Sequence, residues 1–422
     1  MSTWTARQWK ALREWINADC SGTIEAYTGF GKTRIGMMAI HSWLKQRPTD
    51  SIIVVVPSWY LLEQWTAKIN AIEGWSGRVE IKTIHSITIN PQDPIECDLL
   101  IVDEVHALGA DTFSSIFHPL VAKYRHFLGL TATLERLDGR HEMIQQYAPI
   151  VDSIPLQEGK DNGWVNPFHV VNVPVYFSAA NKRQYNQINQ SFYTYFRWFG
   201  ENFDLVSKVM KDAEERKKYA LQMKIPVQVL MGYARGFFNA MRKRQSLLIN
   251  NSDKLEMTRQ IIELVSPSNK VITFSQRVEF ARSLHEMTEG SYLYDAKQPA
   301  KKRKAIADKF KAEPYGLLHT AKALDEGADF PDINVGIISS GSRSKRQNTQ
   351  RQGRVLRFVE GKKGWVINLY HPRTADEQSL RSRQGDAAYI QWINSFQELQ
   401  NLWNHHKETS SFEPSSSQQQ KW

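Results

Sequence analysis

Cysteine is nearly missing from this chain: Cys20 and Cys97 are the only two in 422 residues. Neither stands in metal-ligand spacing, so a disulfide framework and a thiolate zinc site are excluded, and a reducing compartment fits. Long apolar runs are missing too. Ile52–Pro57 and Leu99–Val102 are the longest, and they have the length of strands rather than of a membrane span. The opening residues, MSTWTARQWK, carry no apolar core of the kind a secretory leader needs. No solenoid-type repeat is visible. The expectation is a soluble, cytoplasmic protein that acts as a monomer and has no membrane partner.

What is present points to an anionic partner. Lysine and arginine number 54 against 44 aspartates and glutamates, a formal net charge of +10. Such an excess suits nucleic acid most simply. A hydrophobic fraction of 41% and a charged fraction of 23% are ordinary for a globular chain. The length exceeds what one hydrophobic core serves, so at least two domains are expected.

Two segments carry the chemistry. Ala26–Thr33 reads AYTGFGKT, following a short strand and preceding a helix. Gly29 and Gly31 let the backbone curl and aim N–H groups at phosphate oxygens, Lys32 reaches the outer phosphates, and the Thr33 hydroxyl ligates Mg²⁺. The N-terminus of the following helix adds partial positive charge to the same anion site. The second segment, Asp103–His106, reads DEVH after the apolar run LLIV. It puts a carboxylate pair at the end of a buried strand, with Asp103 suited to hold Mg²⁺ and Glu104 to polarise a water. In this order the two segments imply nucleotide hydrolysis.

Along the chain, near-continuous apolar strands alternate with helical patterns: SIIVVVP, VEIKTIHSI, DLLIVDE and FLGLTAT in the first part, KVITFS, GSYLYD, YGLLHT, VGIISS and GWVINLY in the second. Such alternation argues for parallel sheets covered on both faces. Between about Ser178 and Asn250 the strand signal stops and the text reads as helices rich in Gln, Lys, Arg and aromatics. The expected division is a first α/β lobe over 1–170, a linking strand and helical insert over 171–250, a second α/β lobe over 251–400 and a disordered polar tail over 401–422.

Taken together, these motifs resemble those of superfamily 2 helicases and translocases, and others fall in the family's order. Arg7-Gln8 sits where relatives carry an adenine-recognising glutamine. Pro57, Ser58 and Gln64, then Thr83 and His85 in TIHSI, resemble segments that contact one nucleic-acid strand. Thr131-Ala132-Thr133 matches the hydroxyl-rich motif that couples hydrolysis to lobe movement. HTAKALDEGADFPDIN resembles the fifth motif, which implies that Thr320 touches a phosphate while Glu326, Gly327 and Asp329 line the nucleotide cleft. QRQGRVLR matches Q-x-x-G-R-x-x-R, with Arg354 and Arg357 as arginine fingers that meet charge on the transferring phosphoryl group. His106 and Gln350 would couple the lobes. The resemblance implies two tandem RecA-like lobes with ATP, and its Mg²⁺, between them. The DEVH spelling lies closest to XPB-like repair helicases and phage branch-migration helicases. That favours DNA, single-stranded, forked or branched, in replication, recombination or repair, within a bacterial or phage-infected cytoplasm. An RNA helicase, or a non-unwinding double-strand translocase subunit of a larger machine, stays open.

In the insert, Phe192, Tyr195, Phe196, Phe199 and Phe203 recur at helical spacing and read as packed core. Tyr193 and Trp198 fall off that stripe, in position to stack on bases. Basic residues gather from Lys211 to Arg244, with Arg242 the candidate phosphate contact. The basic run from Lys297 to Lys304 reads as a loop leading into a helix.

Overall fold

A computed structural model describes residues 2–411 apart from 76, 89–93, 111, 137, 166–167, 296, 322–329, 331–332, 342–363 and 385–388. The first lobe is built on six strands: β1 (Ser21–Ala26), β2 (Ile52–Val56), β3 (Val79–Thr83), β4 (Ile95–Asp103), β5 (Ala122–Thr131) and β6 (Ile150–Ile154). They pair in the order β3-β2-β4-β5-β1-β6, every pairing parallel. Parallel neighbours need crossover connections, and helices α1 (Thr3–Asn17), α2 (Lys32–Gln46), α3 (Trp59–Asn70), α4 (Ile84–Thr88), α5 (His141–Tyr147) and α6 (Leu156–Asp161) fill them or lead into them. Both faces of the sheet are therefore covered, and Ile52 to Val56 are buried without exception.

Local chemistry explains the ends of these elements. The Ser2 hydroxyl accepts from the Thr5 N–H at 3.2 Å and caps α1, whose inner face buries Ala11, Leu12 and Trp15. Ser58 caps α3 in the same way. The segment VEIKTIHSI is not one strand: β3 stops at Thr83 and Ile84–Thr88 turn into a short helix. Burial of Ile84 and Ile87, three apart, favours that turn over a continued two-residue alternation.

The second sheet has seven parallel strands in the order β13-β7-β12-β11-β8-β10-β9. They are β7 (Phe168–Pro174), β8 (Lys270–Ser275), β9 (Tyr292–Asp295), β10 (Gly316–Ala321), β11 (Val335–Ile338), β12 (Gly364–Tyr370) and β13 (Ile390–Trp392). The strand expected to link the lobes, β7, lies inside this sheet between β12 and β13. The second lobe thus begins before the helical insert rather than after it.

The insert comprises α7 (Ala179–Arg197), α8 (Phe203–Lys211), α9 (Ala213–Gln222) and α10 (Val227–Ile249). Phe192, Phe199 and Phe237 lie at its centre, as the aromatic spacing suggests. The stripe nonetheless breaks at Trp198. Phe203 begins a new helix and is 49% exposed, while Trp198, read as placed to stack on bases, stacks on Tyr233 at 4.4 Å. The chain continues through α11 (Ser252–Val265), α12 (Val278–Met287), α13 (Ala300–Ala312) and α14 (Ala375–Gln384) to α15 (Phe396–Ser411).

The last helix corrects the expected tail. Residues 401–411 belong to α15, and only 412–422 lie outside the described residues. Leu399 and Trp403, four positions apart, are buried on the second sheet, and the Trp403 ring meets Trp365 at 5.0 Å. The surrounding polar residues mask this pair in the sequence. Trp403→Ala is expected to lower the unfolding free energy by about 3–5 kcal/mol in a chemical denaturation experiment. An unchanged midpoint would mean that α15 does not pack on the lobe.

Candidate functional site

β4, β5 and β1 are consecutive in the first sheet, so their carboxyl ends bring three motifs to one edge. Asp103 pairs in register with Leu130, and Glu25 with Thr131. The AYTGFGKT loop leaves β1, DEVH leaves β4 and TAT leaves β5. A crevice at the carboxyl ends of a parallel sheet, where chain connections diverge to either side, is where ligands of such folds bind.

In the loop, Gly29 and Gly31 have φ of +98° and +94°, values that side-chain-bearing residues rarely adopt. A Cβ on Gly31 would also stand 2.7 Å from the Gln8 amide nitrogen. That amide donates to the Phe30 carbonyl at 2.9 Å, and the Gln8 Oε1 is buried with no hydrogen-bond partner among the described residues. Lys32 is buried, and its ammonium reaches the Ala26 carbonyl at a long 3.4 Å. A loop lined by an unspent buried acceptor and a weakly engaged ammonium fits a nucleotide. Its partner in the dipeptide, Arg7, is instead held by Asp152 and Glu158 on the lobe's own surface.

Asp103 is buried at the end of β4. Its Oδ2 accepts from the Trp65 indole at 2.9 Å and its Oδ1 from the Glu104 N–H at 3.0 Å. Burial, and next the nearby Glu104 charge, push its carboxyl up to about 6, against the Trp65 bond and the Lys32 charge. With the Thr33 hydroxyl, this makes a set of hard oxygen donors suited to Mg²⁺. Trp65 is the residue that the motif reading missed. It orients Asp103 from α3, and its ring edge lies 2.6 Å from where a Gly36 Cβ would stand. One tryptophan in an apolar helix carries no signal of that role.

Glu104 adopts φ +53° and ψ +50°, a left-handed conformation that costs a non-glycine residue roughly 1–2 kcal/mol. Its Oε2 lies 3.3 Å from His106 Nδ1, and that nitrogen is 3.0 Å from the Thr131 hydroxyl. The Thr131 hydroxyl donates to the Thr133 carbonyl, which leaves its oxygen to accept from His106 Nδ1 and from the Thr133 N–H. Arg136, also unforeseen, donates to the His106 carbonyl at 2.9 Å. Thr133 in turn lines a cavity of about 220 Å³ where the lobes meet, with Thr28 on its own side and Arg383 and Gln384 of α14 opposite.

The candidate strand contacts form a separate row. Val56 pairs with Thr83, so Pro57-Ser58 and Thr83-His85 leave neighbouring strands side by side. His85 is exposed and stands edge-on to Phe113 at 4.8 Å. Arg242 is exposed on α10, far along the chain from that row. Thr320, near the end of β10, is 1% exposed, and its carbonyl accepts from the Ser275 hydroxyl. Glu326, Gly327, Asp329, Gln350, Arg354 and Arg357 lie outside the described residues.

Two parallel-sheet lobes with a phosphate loop on the first define a tandem RecA-like architecture. The chain matches the family described as type III restriction enzyme, res subunit, over residues 2–136, and the helicase conserved C-terminal domain over 253–359. It is 27% identical to a DNA 3'-5' translocase XPB2 of Sulfurisphaera tokodaii, over 89% of this chain and 83% of that protein. The fold is also that of the Hef helicase domain of Pyrococcus furiosus, with a TM-score of 0.53, 17% identity and coverage of 90% and 97% of the two chains. Dbp5 of S. cerevisiae bound to RNA and ADP BeF3 gives a TM-score of 0.59 at 12% identity, covering 94% and 92%. The chain belongs to the superfamily 2 helicases and translocases, enzymes that use ATP to act on nucleic acid. No helix among the described residues is long and apolar enough to cross a membrane.

The raised Asp103 carboxyl makes a prediction about stability. An unfolded chain loses this proton above about 3.8, the folded chain only above about 6, so folding weakens as pH rises across that window. Asp103→Asn, free of metal and nucleotide, is expected to melt at a higher temperature than the unsubstituted protein at neutral pH. The difference should vanish as pH falls below the window. A variant that is less stable at neutral pH would contradict the cost assigned to this buried charge.

Proposed function

We propose that this chain is an ATP-driven motor on DNA, a helicase or translocase that acts on forked or branched substrates in replication, recombination or repair. One observation carries the motor reading. The carboxylate pair is continuous, through Glu104, His106, Thr131 and Thr133, with the cavity where the two lobes meet. A change in bonding at Glu104 therefore has a short path to the seam between lobes, a two-body element whose populations a nucleotide can shift. DNA as the track is supported by the translocase relative, the net charge of +10 and the DEVH spelling. The exposed basic residues of the insert suit branched DNA.

In this reading Gly29, Gly31 and Lys32 cradle the phosphates of ATP, and the Gln8 Oε1 accepts from the adenine amino group. Thr33 and Asp103 hold Mg²⁺, which neutralises charge on the phosphate oxygens when bound. Glu104 takes a proton from the attacking water as its oxygen bonds to the γ-phosphorus. The bond from that phosphorus to the bridging oxygen breaks, and ADP leaves with the electron pair. Arg354 and Arg357 meet the charge on the γ-oxygens, and Glu326, Gly327 and Asp329 serve the nucleotide cleft. His106, Thr131 and Gln350 pass the change to the lobes. Pro57, Ser58, Thr83, His85 and Arg242 track the strand.

Lys32→Ala and Glu104→Gln are expected to lower ATP turnover by about 100-fold or more while DNA affinity stays within a few-fold. Turnover like that of the unsubstituted protein in either variant would sink the assignment. ATPase rate and strand separation compared over single strands, blunt duplex, forks, four-way junctions and RNA test the track. Greatest stimulation by forks and junctions is the expected result. Stimulation by RNA alone would overturn the DNA reading, and DNA-stimulated turnover without strand separation would make the enzyme a translocase only.

A further inference from the structure

A cavity of about 570 Å³ opens between the insert and the second lobe, and no residue of the nucleotide loop lines it. Its volume falls within the range of small-ligand sites. The insert contributes Phe192, Tyr193 and Phe203 to its wall, and the lobe contributes Gln276, Gly341 and Asp376. Two of these aromatics are exposed rather than packed, Tyr193 by 38% and Phe203 by 49%. Tyr193 stands edge-on to Phe192 at 5.2 Å, and the Arg244 guanidinium lies 3.6 Å over the Phe192 ring. The result is an open aromatic ring, that of Tyr193, beside a guanidinium that caps the buried Phe192.

The lobe side of the cavity is at a telling place in the sheet. Gln276 follows β8 and Gly341 follows β11, two adjacent strands. The chain leaves β8 toward β9 and β10 on one side, whereas β11 leads to β12 on the other. Crevices at such a divergence, outside the carboxyl ends, are where open parallel sheets bind ligands. Gln276 and Gln245 bring amide groups that can both donate and accept. The Asp376 charge is compensated by Lys254 at 2.6 Å, so it does not repel an anion's neighbourhood. Arg242 and Lys243 are exposed next to Arg244 on the same helix.

We infer that this cavity takes an unpaired nucleobase from a single-stranded stretch of nucleic acid, stacked against the Tyr193 ring beside the Arg244 guanidinium and met at its edge by Gln245 and Gln276. The inference rests on the motor reading. Stacking on aromatic faces tolerates any base, which suits a motor that must pass every sequence. Holding a base at the junction of insert and lobe also keeps an opened strand from re-pairing.

Binding of the full chain to a single-stranded oligonucleotide carrying a fluorescent adenine analogue tests it. Tyr193→Ala is expected to weaken binding about tenfold and to abolish quenching of the analogue, whereas Tyr193→Phe retains both. Because Tyr193 is exposed, the Ala variant should fold, which circular dichroism checks. An oligonucleotide made of abasic sites should bind the unsubstituted protein about tenfold more weakly, with no further loss in Tyr193→Ala. Equal affinity of Tyr193→Ala and the unsubstituted protein, or an abasic loss of the same size in both, would overturn the inference and leave the motor reading intact. Failure of the unsubstituted protein to bind any nucleic acid would overturn both.

Discussion

Parallel pairing of β4, β5 and β1 is the constraint on which the site depends. Parallel strands send every connection back over a face of the sheet, so the loops that follow the strands collect at one edge. The phosphate loop, the carboxylate pair and the TAT segment are far apart in sequence, and this pairing makes them neighbours. The register, Asp103 beside Leu130 and Glu25 beside Thr131, sets them at one level. A slip of one residue would turn Asp103 to the other face of the sheet.

The same edge is where the fold gives up stability. Burying Asp103 beside Glu104 raises its carboxyl, and the left-handed Glu104 adds backbone strain. The surrounding structure overrides both. Trp65 and the Glu104 N–H hold the Asp103 oxygens, while His106, Thr131 and Arg136 fix the turn that follows.

Much of this was legible in the sequence, because the chemistry needs particular residues at particular spacings. Gly29, Gly31, Lys32, Asp103 and Glu104 could be found from local strings, and the apolar strands announced two parallel sheets. What escaped was non-local. The membership of β7 depends on pairing with β12 and β13, a relation no window around Phe168 contains. Trp65 touches Asp103 only because α3 packs where it does. The burial of Thr320 at 1% depends on packing around β10 that its motif does not contain. The helix over 401–411 was hidden because two buried residues, Leu399 and Trp403, anchor an otherwise polar run.

The position of β7 has a mechanical consequence. The insert leaves the second sheet after Pro174 and returns to it through α11, and its first turn is clasped there: Asp253 accepts from the Ser178 N–H at 2.8 Å and from the Asn181 amide at 2.9 Å. Both of its roots are in one lobe, so it rides on that lobe as an arm on a shaft. The chain passes from the first sheet to the second only once, between Ile154 and Phe168. In the proposed motor cycle, any turn of the second lobe therefore carries the insert with it.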